Sequence, residues 1–198
     1  MTIRTVSLAA IALALAQTAG TAWGSPPAGT ITGRVQATPA KYLAETVIYL
    51  RTAPAGSAAR KFQMDQRKLK FDPHVLAISV GDTVEFTNHD TVMHEVHCMD
   101  GAPYFLGVVN GNQSLQHKFE HAGVYGQLCA IHPEMLAMVF VGENPYESVV
   151  ESDGRFTIHD VPPGTYTVAA WNSQLKAADQ SVTVAEGAPS TLDFTLAR

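Results

Sequence analysis

Cysteine is scarce in this chain: two residues in 198, Cys98 and Cys129. That excludes a small scaffold stapled by several disulfides and leaves room for one intramolecular bridge at most. Charge is scarce as well, at 16% of residues with a formal net charge of −5. No basic run of the kind a nucleic-acid or anionic-membrane binder shows occurs, so neither is expected. Long apolar runs are absent but for one, residues 6–16, about half of the ~20 residues a membrane-spanning helix needs. Arg4 precedes it, and Ala22-Trp23-Gly24 places small residues ahead of Ser25. This is the layout of a secretory signal over residues 1–24, with a retained anchor as the lesser alternative. The expected location is periplasmic or secreted, with no membrane span in the mature chain. Helical periodicity is missing too: no window carries an apolar stripe at 3.6-residue spacing over four turns.

What the chain does have is alternation. Leu76, Ile78 and Val80 alternate before Gly81-Asp82, Val84 and Phe86 before Asn88-His89-Asp90, and Val182 and Val184 before Glu186-Gly187. Leu192, Phe194 and Leu196 alternate at the end. Period two bounded by turn formers predicts half-buried antiparallel strands, hence an all-β chain of sandwich type.

The middle differs from its flanks. Residues 60–142 hold seven of the eight histidines, both cysteines and five of the six methionines. A Pro/Gly/Ala/Ser stretch over residues 53–59 suits a linker, and Gly142-Glu143-Asn144-Pro145 suits its exit. The N-terminal flank reads Gly29-Thr30-Ile31-Thr32-Gly33-Arg34-Val35, then Thr46-Val47-Ile48-Tyr49-Leu50. The C-terminal flank reads Asp153-Gly154-Arg155-Phe156, then Val161-Pro162-Pro163-Gly164-Thr165-Tyr166. Together they resemble the carboxypeptidase regulatory-domain-like sandwich, a small transthyretin-like β-fold. The resemblance implies one sandwich, residues 26–56 and 146–198, split by a second domain over residues 60–143. Pro162-Pro163-Gly164 is sufficiently explained as a turn. Trp171 reads as a core or interface aromatic, and His159 as a surface histidine.

The chemistry concentrates where Cys129, His132 and Met135 stand at i, i+3 and i+6. They follow the strand-like Val124-Tyr125-Gly126-Gln127-Leu128 and precede Met138-Val139-Phe140-Val141. A loop joining two strands can fold three such side chains around one point, and Pro133 stiffens its turn. Thiolate, imidazole and thioether are soft donors; a second imidazole completes the trigonal His₂Cys set with a long axial Met that marks blue-copper electron transfer. His94 is the best candidate. On an extended strand it shares a face with Val96 and Cys98, while Glu95 and His97 point away.

Residues 62–142 resemble the cupredoxins, the plastocyanin and amicyanin branch above all. The likeness is carried by Val80-Gly81-Asp82-Thr83-Val84-Glu85-Phe86-Thr87-Asn88, His94, Gly123-Val124-Tyr125 and the Cys-x-x-His-x-x-Met loop. It implies a Greek-key sandwich holding one type 1 copper ion on His94, Cys129, His132 and Met135. A cupredoxin block inside a split regulatory-like sandwich is similar to bacterial plastocyanin-like proteins, some labelled methylamine-utilisation proteins. Further residues placed near the site are Asn88, Glu95, His97 and Cys98. Many members of the family carry Asn where Glu95 stands, so the restraint around the copper is expected to differ here.

A Cys98–Cys129 disulfide competes with this arrangement. Cys98 lies four strand residues from His94, or about 13 Å, whereas a disulfide needs Cα atoms within roughly 7 Å. The bridge and the copper site exclude each other, and Cys98 reads instead as a buried thiol. His97 reads as a surface residue, His74, His89, His117 and His121 as solvated, and Met64, Met93, Met99 and Met138 as core filling. The implied function is single-electron transfer, with a c-type cytochrome or a dehydrogenase as redox partner and His132 as electron exit. Leu136 and Pro103-Tyr104-Phe105-Leu106 would rim that exit. The alternatives are copper trafficking or sensing, and a metal-free structural sandwich holding the disulfide. An enzyme is not expected, because no second ligand set is apparent.

Overall fold

The computed structural model describes residues 27–56 and 58–198. The signal segment assigned to residues 1–24 lies outside them. Among the described residues, every regular element is a β-strand apart from one 3-10 turn at Ala40–Glu45.

The strands form four sheets packed as two sandwiches. In the histidine-rich block, five strands lie in the order Val75–Ser79, Leu136–Gly142, Gly123–Leu128, His94–Cys98, Tyr104–Val109. Opposite them stand Phe71–Asp72, Lys61–Gln66, Thr83–Asn88 and Ser114–Lys118. Met64, Ile78, Val84, Phe86, Val96 and Phe119 fill the space between, none more than 1% exposed. The predicted alternation fails at Val80, which is 43% exposed because its strand stops at Ser79 and the chain turns at Gly81.

The other sandwich draws on both flanks. Strand Gly29–Ala37 pairs antiparallel with Arg155–Val161 and parallel with Pro189–Thr191 and Phe194–Leu196. Strand Thr46–Leu50 lies between Glu147–Val149 and Gly164–Asn172. Neither N-terminal strand could satisfy its backbone without partners more than ninety residues away. Gly33 is required by the crossing: a Cβ there would lie 1.7 Å from the Leu192 carbonyl oxygen. Ile31, Ile48, Phe156, Ile158, Val168 and Leu196 form the interior.

An apolar and a polar contact join the two. Phe140 of the histidine-rich block packs on Tyr49, ring centroids 4.8 Å apart, and on Trp171 at 5.9 Å. Beside them Arg60 bonds Asp82 at 2.9 Å and Glu147 at 2.8 Å. Asn144 Nδ2 donates to the Leu50 carbonyl at 2.9 Å. The chain leaves the first flank near residue 56 and returns at 145 at nearly the same place, since a Cβ on Gly56 would lie 3.0 Å from the Pro145 ring.

Candidate metal centre

One strand of the five-stranded sheet and the loop between two others carry the donors. Strands Gly123–Leu128 and Leu136–Gly142 form a hairpin in which Leu128 faces Leu136, so Cys129 to Met135 is the connecting loop. Within it the Met135 N–H donates to the His132 carbonyl at 3.0 Å. This closes a turn with Pro133 at its second position, where a φ near −65° is already required. Strand His94–Cys98 runs alongside, His97 opposite Leu128.

The geometry brings His94, Cys129 and His132 together, every ligand atom within 4.8 Å of the others. His94 Nδ1 lies 3.1 Å from His132 Nδ1, and Cys129 Sγ lies 3.9 Å from that nitrogen. Bonds of about 2.0 Å to nitrogen and about 2.3 Å to sulfur let two such nitrogens, and a sulfur and a nitrogen, on one ion stand at these distances. Facing ring nitrogens beside a buried thiol therefore have the spacing of ligands on one centre. His94 is wholly buried, Cys129 is 3% and Met135 1% exposed, and His132 is half-buried. Met135 and Cys129 belong to the same buried cluster. Among the described residues this is the one group of His, Cys, Asp and Glu compact enough to hold an ion.

The surrounding residues depart from simple strand parity. Glu95 was expected to point away from the core, yet it is 4% exposed, because the Cys129 loop folds over its side of the strand. Its amide donates to Cys129 Sγ at 3.4 Å, its Oε2 accepts from the Ala130 N–H at 3.1 Å, and His97 Nδ1 bonds Oε1 at 2.8 Å. Where many family members have Asn, this carboxylate ties the two ligand segments. His97 is thus a half-buried partner of Glu95 rather than a free surface residue. Asn88, fully buried, donates to the carbonyls of Val92 and Val109 at 2.8 Å and shapes the turn leading into His94.

Cys98 and Cys129 are both free thiols. Cys98 is wholly buried, and burial pushes its thiol up from the ordinary value. His117 is not a solvated residue: it stacks on Tyr104 with centroids 3.7 Å apart. Met93 and Met99, expected as core filling, are 53% and 69% exposed at the two ends of the His94–Cys98 strand. In the expected rim Leu136 and Phe105 are exposed, whereas Tyr104 and Leu106 pack against the core.

Sequence reasoning missed one residue altogether. Asp90 Oδ2 lies 2.9 Å from His94 Nε2, the ring nitrogen turned away from Cys129. Its place in an Asn-His-Asp turn gave no signal of that contact.

The carboxypeptidase regulatory-like domain family matches residues 137–197. Amicyanin-alpha of Methylorubrum extorquens is 32% identical over 96 residues, spanning 46% of this chain and 77% of that protein. Amicyanin of Paracoccus denitrificans is 32% identical over 85 residues, 39% of this chain and 63% of the relative. A purple cupredoxin structure from Nitrosopumilus maritimus aligns at 28% identity over 40% of this chain and 98% of its own, with a TM-score of 0.38. The coverage and identity of the first relative settle the kinship: the chain belongs to the amicyanin family of cupredoxins and carries a carboxypeptidase regulatory-like β-sandwich beside that domain.

Proposed function

We propose that this protein is an exported carrier of single electrons, holding one type 1 copper ion on His94, Cys129, His132 and Met135. The observation that carries the reading is the buried convergence of two imidazole nitrogens and a thiol, 3.1 and 3.9 Å apart, in a member of the amicyanin family. Copper, when bound, supplies the one-electron couple between its +1 and +2 states. The protein's part is to hold the donors still. His94 is fixed on a central strand, Cys129 accepts the Glu95 N–H, and the 132–135 turn sets His132 and Met135. Donors that need not move between oxidation states keep the barrier to transfer low. His132, half-buried with Ile131 and Leu136 exposed nearby in sequence, is the exit through which a redox partner such as a c-type cytochrome or a dehydrogenase would be reached.

The domain reading goes with it. Residues 60–143 form the copper domain, inserted into a sandwich made of residues 26–56 and 146–198, with residues 1–24 removed on export. The cross-flank strand pairing and the adjacency of Gly56 and Pro145 support this division. Copper trafficking is the second reading, favoured by the exposed thioethers of Met93 and Met99. Voltammetry separates the two. An electron carrier shows a reversible one-electron wave and keeps its copper against a competing Cu(I) chelator, and His94→Ala abolishes the wave while His97→Ala preserves it. Rapid loss of copper to the chelator in both oxidation states would favour trafficking.

A further inference from the structure

Asp90 does more than meet His94. Its carboxylate accepts three hydrogen bonds: from the Lys68 amide at 2.6 Å, from the Leu69 amide at 2.9 Å, and from His94 Nε2 at 2.9 Å. Its own amide donates to Asn88 Oδ1 at 2.8 Å, which fixes where the side chain starts. The first two donors come from the turn at residues 67–70, closed by mutual backbone bonds between Arg67 and Lys70 of 2.9 and 3.2 Å. Lys68 and Leu69 both lie in the left-handed region, at φ 56° and 58°. Neither residue type favours that region; each costs of order 1 kcal/mol or more there. Two successive left-handed residues turn their amides toward one anion, a nest in the general sense.

We infer that Asp90, anchored by the left-handed turn at Lys68 and Leu69, is the positioning residue that selects the tautomer of His94 and strengthens it as a metal ligand. A carboxylate at this site can only accept, so the ring proton sits on Nε2 and the Nδ1 lone pair is presented toward His132 and Cys129. An imidazole whose far N–H is given to a carboxylate is a stronger donor, and such partners are worth 10–100-fold in metal affinity. The negative charge also favours the more highly charged metal, and therefore Cu(II) over Cu(I). The turn is part of the metal centre although no residue of it touches the ligand atoms. The inference rests on the copper reading for its second half alone; the tautomer is a property of the metal-free protein.

Nitrogen-15 NMR of the metal-free protein tests the first half. A protonated Nε2 and an unprotonated Nδ1 on His94 are expected in the wild type, and a mixture of tautomers in Asp90→Ala. A proton on Nδ1 of the wild type overturns the proposal, whether or not the protein binds copper. Copper(II) competition and potentiometry test the second half. Asp90→Asn keeps the size of the side chain and removes the charge. It should bind copper(II) about 10- to 100-fold more weakly and shift the potential upward. Leu69→Pro removes one anchoring amide and, because its ring cannot adopt φ 58°, opens the turn as well, so it should move both quantities the same way. Leu69→Gly, which keeps the amide and suits the left-handed φ, should leave them unchanged. Unaltered affinity and potential in Asp90→Asn would overturn the ligand-strengthening role. A wild type that binds no copper would defeat the proposed function and leave the NMR result to decide this one.

Discussion

The two sandwiches are built from the same alternation of apolar and polar residues, yet their interiors differ in kind. Around Ile31, Phe156, Ile158 and Leu196 the fully buried side chains of the cluster are all hydrocarbon, with Tyr42, Tyr146 and Tyr166 packed at its margin, and no metal-ligating group lies among them. The other interior encloses Val96, Phe119 and Val139, but at one end its cluster runs into Cys129 and Met135, with His94, Glu95 and Asn88 buried beside it. Each of those polar groups has a bond: His94 to Asp90, Glu95 to Ala130 and His97, Asn88 to two carbonyls. A sandwich core can thus acquire a reactive end when the polar groups closest to it are paired, although the Gln66 side-chain amide, buried in register with Asn88, has no partner. The regulatory-like sandwich shows the arrangement without that end.

Removing one region altogether sharpens the comparison most. A chain in which residue 56 is joined to residue 146 by a short flexible linker lacks the whole histidine-rich block. It should remain β-rich and unfold cooperatively, because Gly29–Ala37 and Thr46–Leu50 keep their partners. Circular dichroism and a thermal melt check this, and an unfolded product would show that the flanks depend on the inserted block. Next in size is a cavity in the hydrocarbon interior. Phe156→Ala, at a position 1% exposed, should cost about 3–5 kcal/mol in the melt of the split sandwich. The visible spectrum of the copper-loaded protein should not change, and a change would mean that the two interiors are coupled through Phe140, Tyr49 and Trp171.

The smallest effects are those of pH, and here two groups pull in opposite directions. Burial pushes the His117 imidazole below its ordinary 6.5, against the pull of Glu120. The unfolded chain then takes up that proton first, so the contribution is whole above pH 6.5 and lost as pH falls below it. Burial pushes the Glu147 carboxyl above its ordinary 4.5, outweighing Arg60. Its contribution is present below pH 4.5 and lost as pH rises through the raised value. In the metal-free protein, His117→Gln should flatten the fall in melting temperature between about pH 7.5 and 5.5, and Glu147→Gln should leave that fall in place. Equal slopes in all three proteins would contradict the assigned signs.

Much of this architecture was legible in the residues. Val84, Phe86, Val182, Val184, Phe194 and Leu196 alternate in the sequence and are buried in the fold. The spacing of Cys129 and His132, with His94 on a neighbouring strand, pointed to the place where the structure brings those three side chains together, because ligand loops are local in sequence. What escaped depends on contacts between distant segments. Strand parity sends Glu95 outward, and only the fold shows the Cys129 loop lying over it. Asp90 reads as a turn former until the 67–70 turn, more than twenty residues upstream, is seen to hold it. Met93 and Met99 look like filling because composition cannot tell a strand end from its middle.

The central claim is that His94, Cys129, His132 and Met135 form one type 1 copper site, and titration of the metal-free protein with copper(II), followed by visible absorption, tests it most directly. A single equivalent should bind tightly, with an intense thiolate-to-copper band that Cys129→Ser abolishes while the β-sheet signal stays intact. A wild-type protein fully loaded with copper yet colourless would contradict it.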